Sequence, residues 1–387
     1  MKTVVNQILF LLLLVALVGC GSPGGDSGGG SSNNVNQTDN SSNTAKASCS
    51  LSGIEIEHSE SRTFYQKATE LNGKYCLSES RTCNDGVLSG SYNYSSCTSL
   101  PEETITFKIP DTGLGDDLIE NPIQFRSNGD GTVTDLNTGL MWRTTSLSSS
   151  KTRSAAIEYC NELDYAQYND WRLPRIDELV ITIDYSKETG FSTDYFSSMY
   201  NRKLWSASYI SGWDEGSWVF NTYNKETELV HFLESTPHTL CVRGKKVGDF
   251  DLAMIDIESV SVVGTNLIAE TDIVGNPTRN SKSTIISNCA NSEASSFTDW
   301  RLPTIKEMVL LTFAGNQLLD TNFFESTASS LYPTQDYYYV STTNTTEFGR
   351  KLYCQTTSLS NTESPAIITN CSSSLDASFF GICVRRN

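Results

Sequence analysis

The chain has 387 residues and a net charge of −17. So acidic a chain is a poor partner for nucleic acid, whose phosphates need Lys and Arg, and it argues against a broadly basic surface for sulfated polysaccharides. The length beyond residue 48 is enough for two or three small domains.

Residues 1–20 read as an export signal. Lys2 supplies a positive charge, residues 8–18 are apolar without a charge, and small residues precede Cys20. The apolar run is shorter than the roughly 20 residues of a membrane-spanning helix. The ending Leu17-Val18-Gly19-Cys20 resembles the bacterial lipobox. That resemblance implies diacylglycerol on the Cys20 thiol, cleavage before it and a fatty acyl chain such as palmitate on the new amine. Gly21, rather than Asp, follows the cysteine. By the same resemblance this implies the outer membrane of a Gram-negative bacterium, the cell surface being one of its two faces. Two or more acyl chains anchor a protein stably. Residues 21–48 are Gly, Ser, Asn and Thr with little that is apolar, a flexible tether.

Besides Cys20, ten cysteines remain, an even number. In an exported protein they read as five disulfides, and no C-x-x-C pair points to zinc. Four lie in residues 49–100, a small β module that depends on its bridges. There Cys83 to Cys97 reads as strand, Asp85-Gly86 turn and strand. Cys49–Cys76 with Cys83–Cys97 is the expected pairing, one of three that four cysteines allow. Residues 101–122 read as a linker.

Residues 128–135 read Asn-Gly-Asp-Gly-Thr-Val-Thr-Asp. Asn128, Asp130 and Asp135 offer hard oxygens for calcium, the one candidate cofactor, though the closing Glu of an EF-hand is missing. The competing reading is an Asp-Gly turn before a strand at Thr132-Val133.

An internal repeat follows. Cys160 precedes Asp170-Trp171-Arg172-Leu173-Pro174 at the spacing by which Cys289 precedes Asp299-Trp300-Arg301-Leu302-Pro303. Both copies close alike, on Cys241-Val242-Arg243 and Cys383-Val384-Arg385. The expectation is a duplication, with unit 1 at 123–246 and a degenerate unit 2 at 247–387. In unit 1, residues 154–163 carry a helical apolar face. Pro174 or the next residue opens a second helix with Ile176, Leu179, Val180 and Ile183 on one side. Strands are expected at 204–209, 217–221, 230–233 and 239–243, so each unit is α+β. Cys160–Cys241 and Cys289–Cys383 would close the units, leaving Cys354–Cys371 to a hairpin inserted in the second. Trp171 to Pro174 read as scaffold, with Arg172 paired to a carboxylate such as Glu178. Aromatics crowd unit 1, and Tyr209, Trp213 and Trp218 are the candidates for a ligand face, Trp213 on a loop between Gly212 and Asp214.

Unit 1 resembles the bacterial Lcl C-terminal domain family, also called the domain of unknown function 1566. The residues that carry the likeness are Phe125, Asn128, Asp130, Val133, Asp135, Thr138 to Trp142, Tyr159-Cys160, Leu163, Asn169 to Pro174, Trp205-Ser206 and Cys241 to Gly244. Unit 2 keeps the middle and end of this pattern but lacks the Gly-Asp-Gly opening and the Leu-Met-Trp. The resemblance implies a compact α+β fold of the C-type-lectin-like kind and an exported protein, the best-known member being an adhesin that binds host glycosaminoglycans.

The sequence therefore reads as two tandem C-type-lectin-like units behind a small disulfide-bonded β module. The expected function is non-enzymatic adhesion to an extracellular glycan or protein. A structural envelope scaffold is the alternative from another class. A divergent enzyme of the formylglycine-generating group is the third: His58, His231 and His238 are the only histidines, and none lies in a His-Glu-x-x-His helix.

Overall fold

The computed structural model describes residues 45–112, 120–145, 152–185, 187, 190–196, 199, 201–209, 216–223, 225–231, 237–246, 250–272, 282–313, 330–339, 351–359, 366–372 and 382–387. The export signal with Cys20, most of the tether and Trp213 lie outside the described residues. No helix among the described residues is long and apolar enough to cross a membrane.

The first module is built from short strands. β1 (Cys49–Leu51) folds back on β2 (Ile54–Ile56). β3 (Ser61–Tyr65) is followed by β4 (Thr69–Glu70) and pairs with β5 (Ser78–Asn84). β5 turns at Asp85-Gly86 into β6 (Val87–Leu88), and β7 (Thr98–Ser99) lies parallel to β4. Asp85 and Gly86 have φ of 54° and 79°. A two-residue hairpin turn of this hand needs positive φ at both positions, which is why Asp-Gly marks it in the sequence. The core is Ile56, Phe64, Cys49 and Cys83. Cys83 points into it in alternation with exposed Thr82 and meets Cys49 there. The bridges are thus Cys49–Cys83 and Cys76–Cys97, not the expected Cys49–Cys76 and Cys83–Cys97.

Residues 101–112 are not a free linker. Ile109 is fully buried, and Lys108 N donates to Asn137 O at 2.7 Å. Tyr185 N donates to Thr112 O at 2.8 Å, and Lys306 Nζ to Asp111 O at 2.9 Å. The segment is a strap bonded to both halves of the chain beyond it.

Next come β8 (Phe125–Ser127), β9 (Thr132–Asp135) and β10 (Met141–Arg143), then α1 (Arg153–Asn161) and α2 (Ile176–Thr182). β11 (Lys203–Tyr209), β12 (Gly216–Asn221) and β13 (Glu226–His231) form a meander, and β14 (Val242–Arg243) returns to pair with β10. Thr152 starts α1 by accepting from Ala155 N at 3.3 Å, a side-chain cap for a donor the helix leaves unpaired. α2 opens at Ile176, two residues after Pro174, where the Glu178 carboxylate accepts from Arg175 N. β13 begins at Glu226 rather than near 230, because its register with β12 runs from Asn221–Glu226 to Gly216–His231.

The same order of elements is met again after residue 250. β15 (Leu252–Met254), β16 (Ser259–Val262) and β17 (Leu267–Glu270) precede α3 (Lys282–Ala290) and α4 (Ile305–Phe313). β18 (Ser330–Tyr339), β19 (Lys351–Leu359) and β20 (Ala366–Ser372) form a second meander, and β21 (Val384–Arg386) returns to β17. β19 and β20 hold the places of β12 and β13. Their register sets Cys354 opposite Cys371, so these cysteines sit in the recurring sheet, not in an inserted hairpin.

Cys160 is bonded to Cys241 and Cys289 to Cys383, tying α1 to β14 and α3 to β21. The bridges span 81 and 94 residues. On the chain-entropy account each is worth at most about 4–5 kcal/mol. One continuous apolar core joins both halves: α2 gives Ile176, Leu179 and Val180, and α4 gives Ile305, Met308 and Val309.

Candidate functional site

The aromatic candidates divide. Ser217, Trp218, Val219 and Phe220 are all buried, so β12 is covered on both sides. Trp218 and Phe220 face the shared core, whereas Val219 joins Trp205, Trp171 and Cys160 beneath α1. Trp218 is fully buried and belongs to the core, not to a ligand face. Its indole Nε1 and that of Trp142 have no hydrogen-bond partner among the described residues. An unmade bond of this kind costs about 1–3 kcal/mol, which burial of so large a ring offsets. Tyr209 ends β11 opposite Ser217, and Trp213 lies outside the described residues.

The 128–135 segment is a turn rather than a cation cage. Asp130 Oδ1 accepts from Thr132 N and Oγ1 at 3.1 and 2.6 Å, and Asp130 Oδ2 takes Lys74 Nζ at 2.6 Å. Burial works against the charge, yet the bonds from Lys74 and Thr132 hold the Asp130 carboxyl below its usual range. Asn128 bonds Thr132 and Thr134. Asp135 is buried at the far end of β9, where it accepts from Asn137 N at 2.8 Å, and burial pushes its carboxyl up. An ammonium already sits at Asp130, and Asp135 lies apart from the turn that Asn128 and Asp130 share through Thr132. Among the described residues no group of three His, Cys, Asp or Glu is placed to hold a metal. Gly131 (φ 83°) is required for another reason: a Cβ there would lie 2.0 Å from the Tyr165 hydroxyl.

The Trp-Arg-Leu-Pro segments build the framework identically in both halves. Trp171 Nε1 donates to the Tyr165 carbonyl at 3.2 Å, and Trp300 Nε1 to the Ala294 carbonyl at 3.2 Å. Arg172 grips Glu178 through both terminal nitrogens at 2.6 and 2.5 Å, as Arg301 grips Glu307 at 2.7 and 2.7 Å. Each arginine also bridges by its backbone to the closing strand, at Val242 and Val384. Such two-pronged pairs fix geometry as well as charge. Burial alone would raise Glu307, but Arg301 and Arg386 bring its carboxyl down to about 2.

The residues that the sequence reading passed over lie where the first module meets unit 1. The Arg243 guanidinium is 4.0 Å from the centre of the Tyr168 ring and bonds Asp170 Oδ1 at 2.6 Å, Glu102 and Met141 Sδ. Burial opposes the Arg243 charge, but Asp170 and Glu102 raise its pKa. Burial, reinforced by these acids, pushes the Tyr168 phenol up to about 12, so it keeps its proton and can donate. Residues 70–76 lie over this ring. Tyr168 OH donates to Asn72 O at 2.8 Å, Tyr75 N to Gln167 O at 3.1 Å, and Tyr75 OH to Asp164 Oδ1 at 2.8 Å. Gln167 Nε2 reaches both Glu70 and the Tyr75 carbonyl. The left-handed turn at Ala166-Gln167 (φ 55° and 64°) presents these groups. The signal for this face was in the sequence: an Asp before Trp-Arg and an Arg after Cys-Val, in both copies.

No curated protein matches the chain. The stretch from Gly131, which makes room for Tyr165, to Arg243, which stacks on Tyr168, matches the family model of the Lcl C-terminal domain over residues 131–243.

Proposed function

We propose that the chain is an exported bacterial lipoprotein, anchored through Cys20 to the outer membrane. Its folded part is a non-enzymatic binding module for an extracellular glycan or protein. We propose further that its two halves arose by duplication of one C-type-lectin-like unit. The observation that carries this reading is what recurs between the halves. The disulfide, the buried tryptophan, the Arg–Glu grip and the ring–Arg–Asp stack are all repeated, and all hold the fold. The surfaces around them differ. A repeated framework with a changed exterior supports recognition rather than a shared reaction centre. The disulfides support folding in an oxidising compartment.

One observation favours the second reading, an envelope scaffold: Ile257 is 88% exposed beside exposed Met254 and Ile255. Large apolar side chains left in water mark contact surfaces. The test is binding of the mature chain to an array of glycans and matrix polymers, with calcium and with chelator. Specific binding supports the module, and silence in both conditions overturns it in favour of the scaffold. Labelling of cells with an alkyne fatty acid, lost on Cys20→Ser, tests the anchor.

A further inference from the structure

One position of the framework carries opposite charges in the two halves. Arg143 ends β10 and Glu270 ends β17. Each donates its backbone N–H to the carbonyl of the closing cysteine, Cys241 at 3.1 Å and Cys383 at 2.9 Å. In the second half the place is shut. The Glu270 side chain is buried and accepts from Ser292 Oγ. Asn288 and Ala294 stand there, at the same distance from the helix cysteine, where unit 1 has Tyr159 and Tyr165.

In unit 1 the place is open. Arg143, Tyr159 and Tyr165 are all half-buried. Along β10, Trp142 enters the shared core, while Met141 packs beneath α1 and Arg143 follows it to that side. Arg143 Nη1 donates to the Tyr159 hydroxyl at 2.5 Å, and the guanidinium lies 4.8 Å from the centre of the Tyr165 ring. Its Nε is sealed from water without a hydrogen-bond partner, whereas Nη2, equally without one among the described residues, is not sealed. The framework arginines Arg172, Arg243, Arg301, Arg385 and Arg386 each hold a carboxylate. Arg143 holds none among the described residues, in a chain with 45 acidic residues to 28 basic ones, where carboxylates are plentiful. The setting is fixed in advance: Gly131 makes room for Tyr165, and its carbonyl accepts from Thr144 N and Oγ1, both at 3.0 Å, beside Arg143. A half-buried guanidinium short of acceptors is destabilising until an anion meets it.

We infer that Arg143, flanked by Tyr159 and Tyr165, binds the carboxylate of a single acidic sugar at the end of an extracellular glycan. The inference rests on the binding-module reading and names its site and ligand class. The planar fork of a guanidinium matches a carboxylate. Tyrosine offers a sugar both an apolar ring and a hydroxyl. A chain at −17 repels a polyanion, so one carboxylate suits this site better than a row of sulfates or a run of acidic residues.

The test titrates the mature chain with sialyllactose and with a terminal glucuronide, each against its methyl ester, and with lactose and sulfated lactose, all read by ligand-observed NMR. One of the two acids is expected to bind about ten-fold more tightly than its ester or lactose. That preference should vanish on Arg143→Gln and shrink on Arg143→Lys, which keeps the charge but loses the fork. Thermal unfolding shows whether each variant is folded, and the ester comparison needs no variant. An ester or neutral sugar that binds as well as the acid overturns the inference. So does full binding by Arg143→Gln, equal binding of sulfated lactose, or silence of both acids. A protein ligand lost on Arg143→Gln would overturn the assignment to a sugar. A hit elsewhere on the glycan array that Arg143→Gln leaves intact keeps the binding module and rejects this site, whereas silence across the whole array rejects both.

Discussion

Asp177 on α2 and Lys306 on α4 occupy one position of the repeated framework, each next to the glutamate gripped by its arginine, and both are buried. Lys306 donates to the Asp111 carbonyl of the strap, and its charge counters part of the rise that burial imposes on the nearby Asp135. Asp177 is less well served. Arg175 bonds Oδ1 at 3.0 Å, but Oδ2 has no hydrogen-bond partner among the described residues. Burial, with Glu178 beside it, raises its carboxyl to about 7 in spite of Arg175. The difference teaches that one backbone site tolerates either sign of charge when a neighbouring segment supplies the answering group, and strains when it does not.

The sharpest way to break the comparison is at the two buried glutamates. Glu307 answers both Arg301 and Arg386, whereas Glu178 answers Arg172. Glu307→Ala should cost about 3–5 kcal/mol in urea denaturation, since it leaves Arg301 without its carboxylate and Arg386 with Glu120 and the more distant Asp111. Glu178→Ala should cost less, and an equal or reversed order would refute the account. Because the Glu307 carboxyl is depressed, its stabilisation is whole above the unfolded value of 4.5 and drains away as pH falls towards about 2. Wild type should therefore lose stability over that interval faster than Glu307→Gln.

Asp177→Asn sharpens the comparison with the opposite sign. A raised carboxyl costs stability once it must ionise, so the penalty grows as pH climbs from 3.8 through about 7. The variant should match wild type near the lower value and exceed it by up to about 4 kcal/mol at pH 8, read as Tm across pH. A flat difference would place the missing partner of Oδ2 elsewhere. The smallest effect concerns the junction of the first module. Lys74→Ala removes a half-buried ion pair with Asp130 and should cost about 1 kcal/mol or less, its effect shrinking in high salt. Faster proteolysis of the 70–76 loop is the readout, and no change would mean that the backbone bonds alone hold the loop.

Much of the framework was legible because its determinants are local. The Asp85-Gly86 turn, the opening of α2 close after Pro174 and the Arg172–Glu178 grip each lie within a few residues of chain. The bridges Cys160–Cys241 and Cys289–Cys383 were legible because the copies end alike. What escaped depended on distant partners. Trp218 looked available because a strand is usually read as having a wet side, yet Ser-Trp-Val-Phe without alternation is the pattern of a strand covered on both. Asn128, Asp130 and Asp135 looked like ligands until Lys74, more than fifty residues earlier, supplied the cation. The pairing in the first module turned on which way Cys83 faces in β5, and the strap on hydrogen bonds to residues far ahead.

The strap has a mechanical consequence. Residues 108–112 hold Asn137, Tyr185 and Lys306, and they are the chain's route from the first module to everything beyond it. Tension that passes beyond the first module, itself held to unit 1 by residues 70–76, does not reach the two halves one after the other. It arrives at a segment gripped by both at once, so bonds to both must rupture before either half is drawn away. The geometry converts a pull on the first module into a shear across a seam, the mode of loading in which many weak bonds resist together.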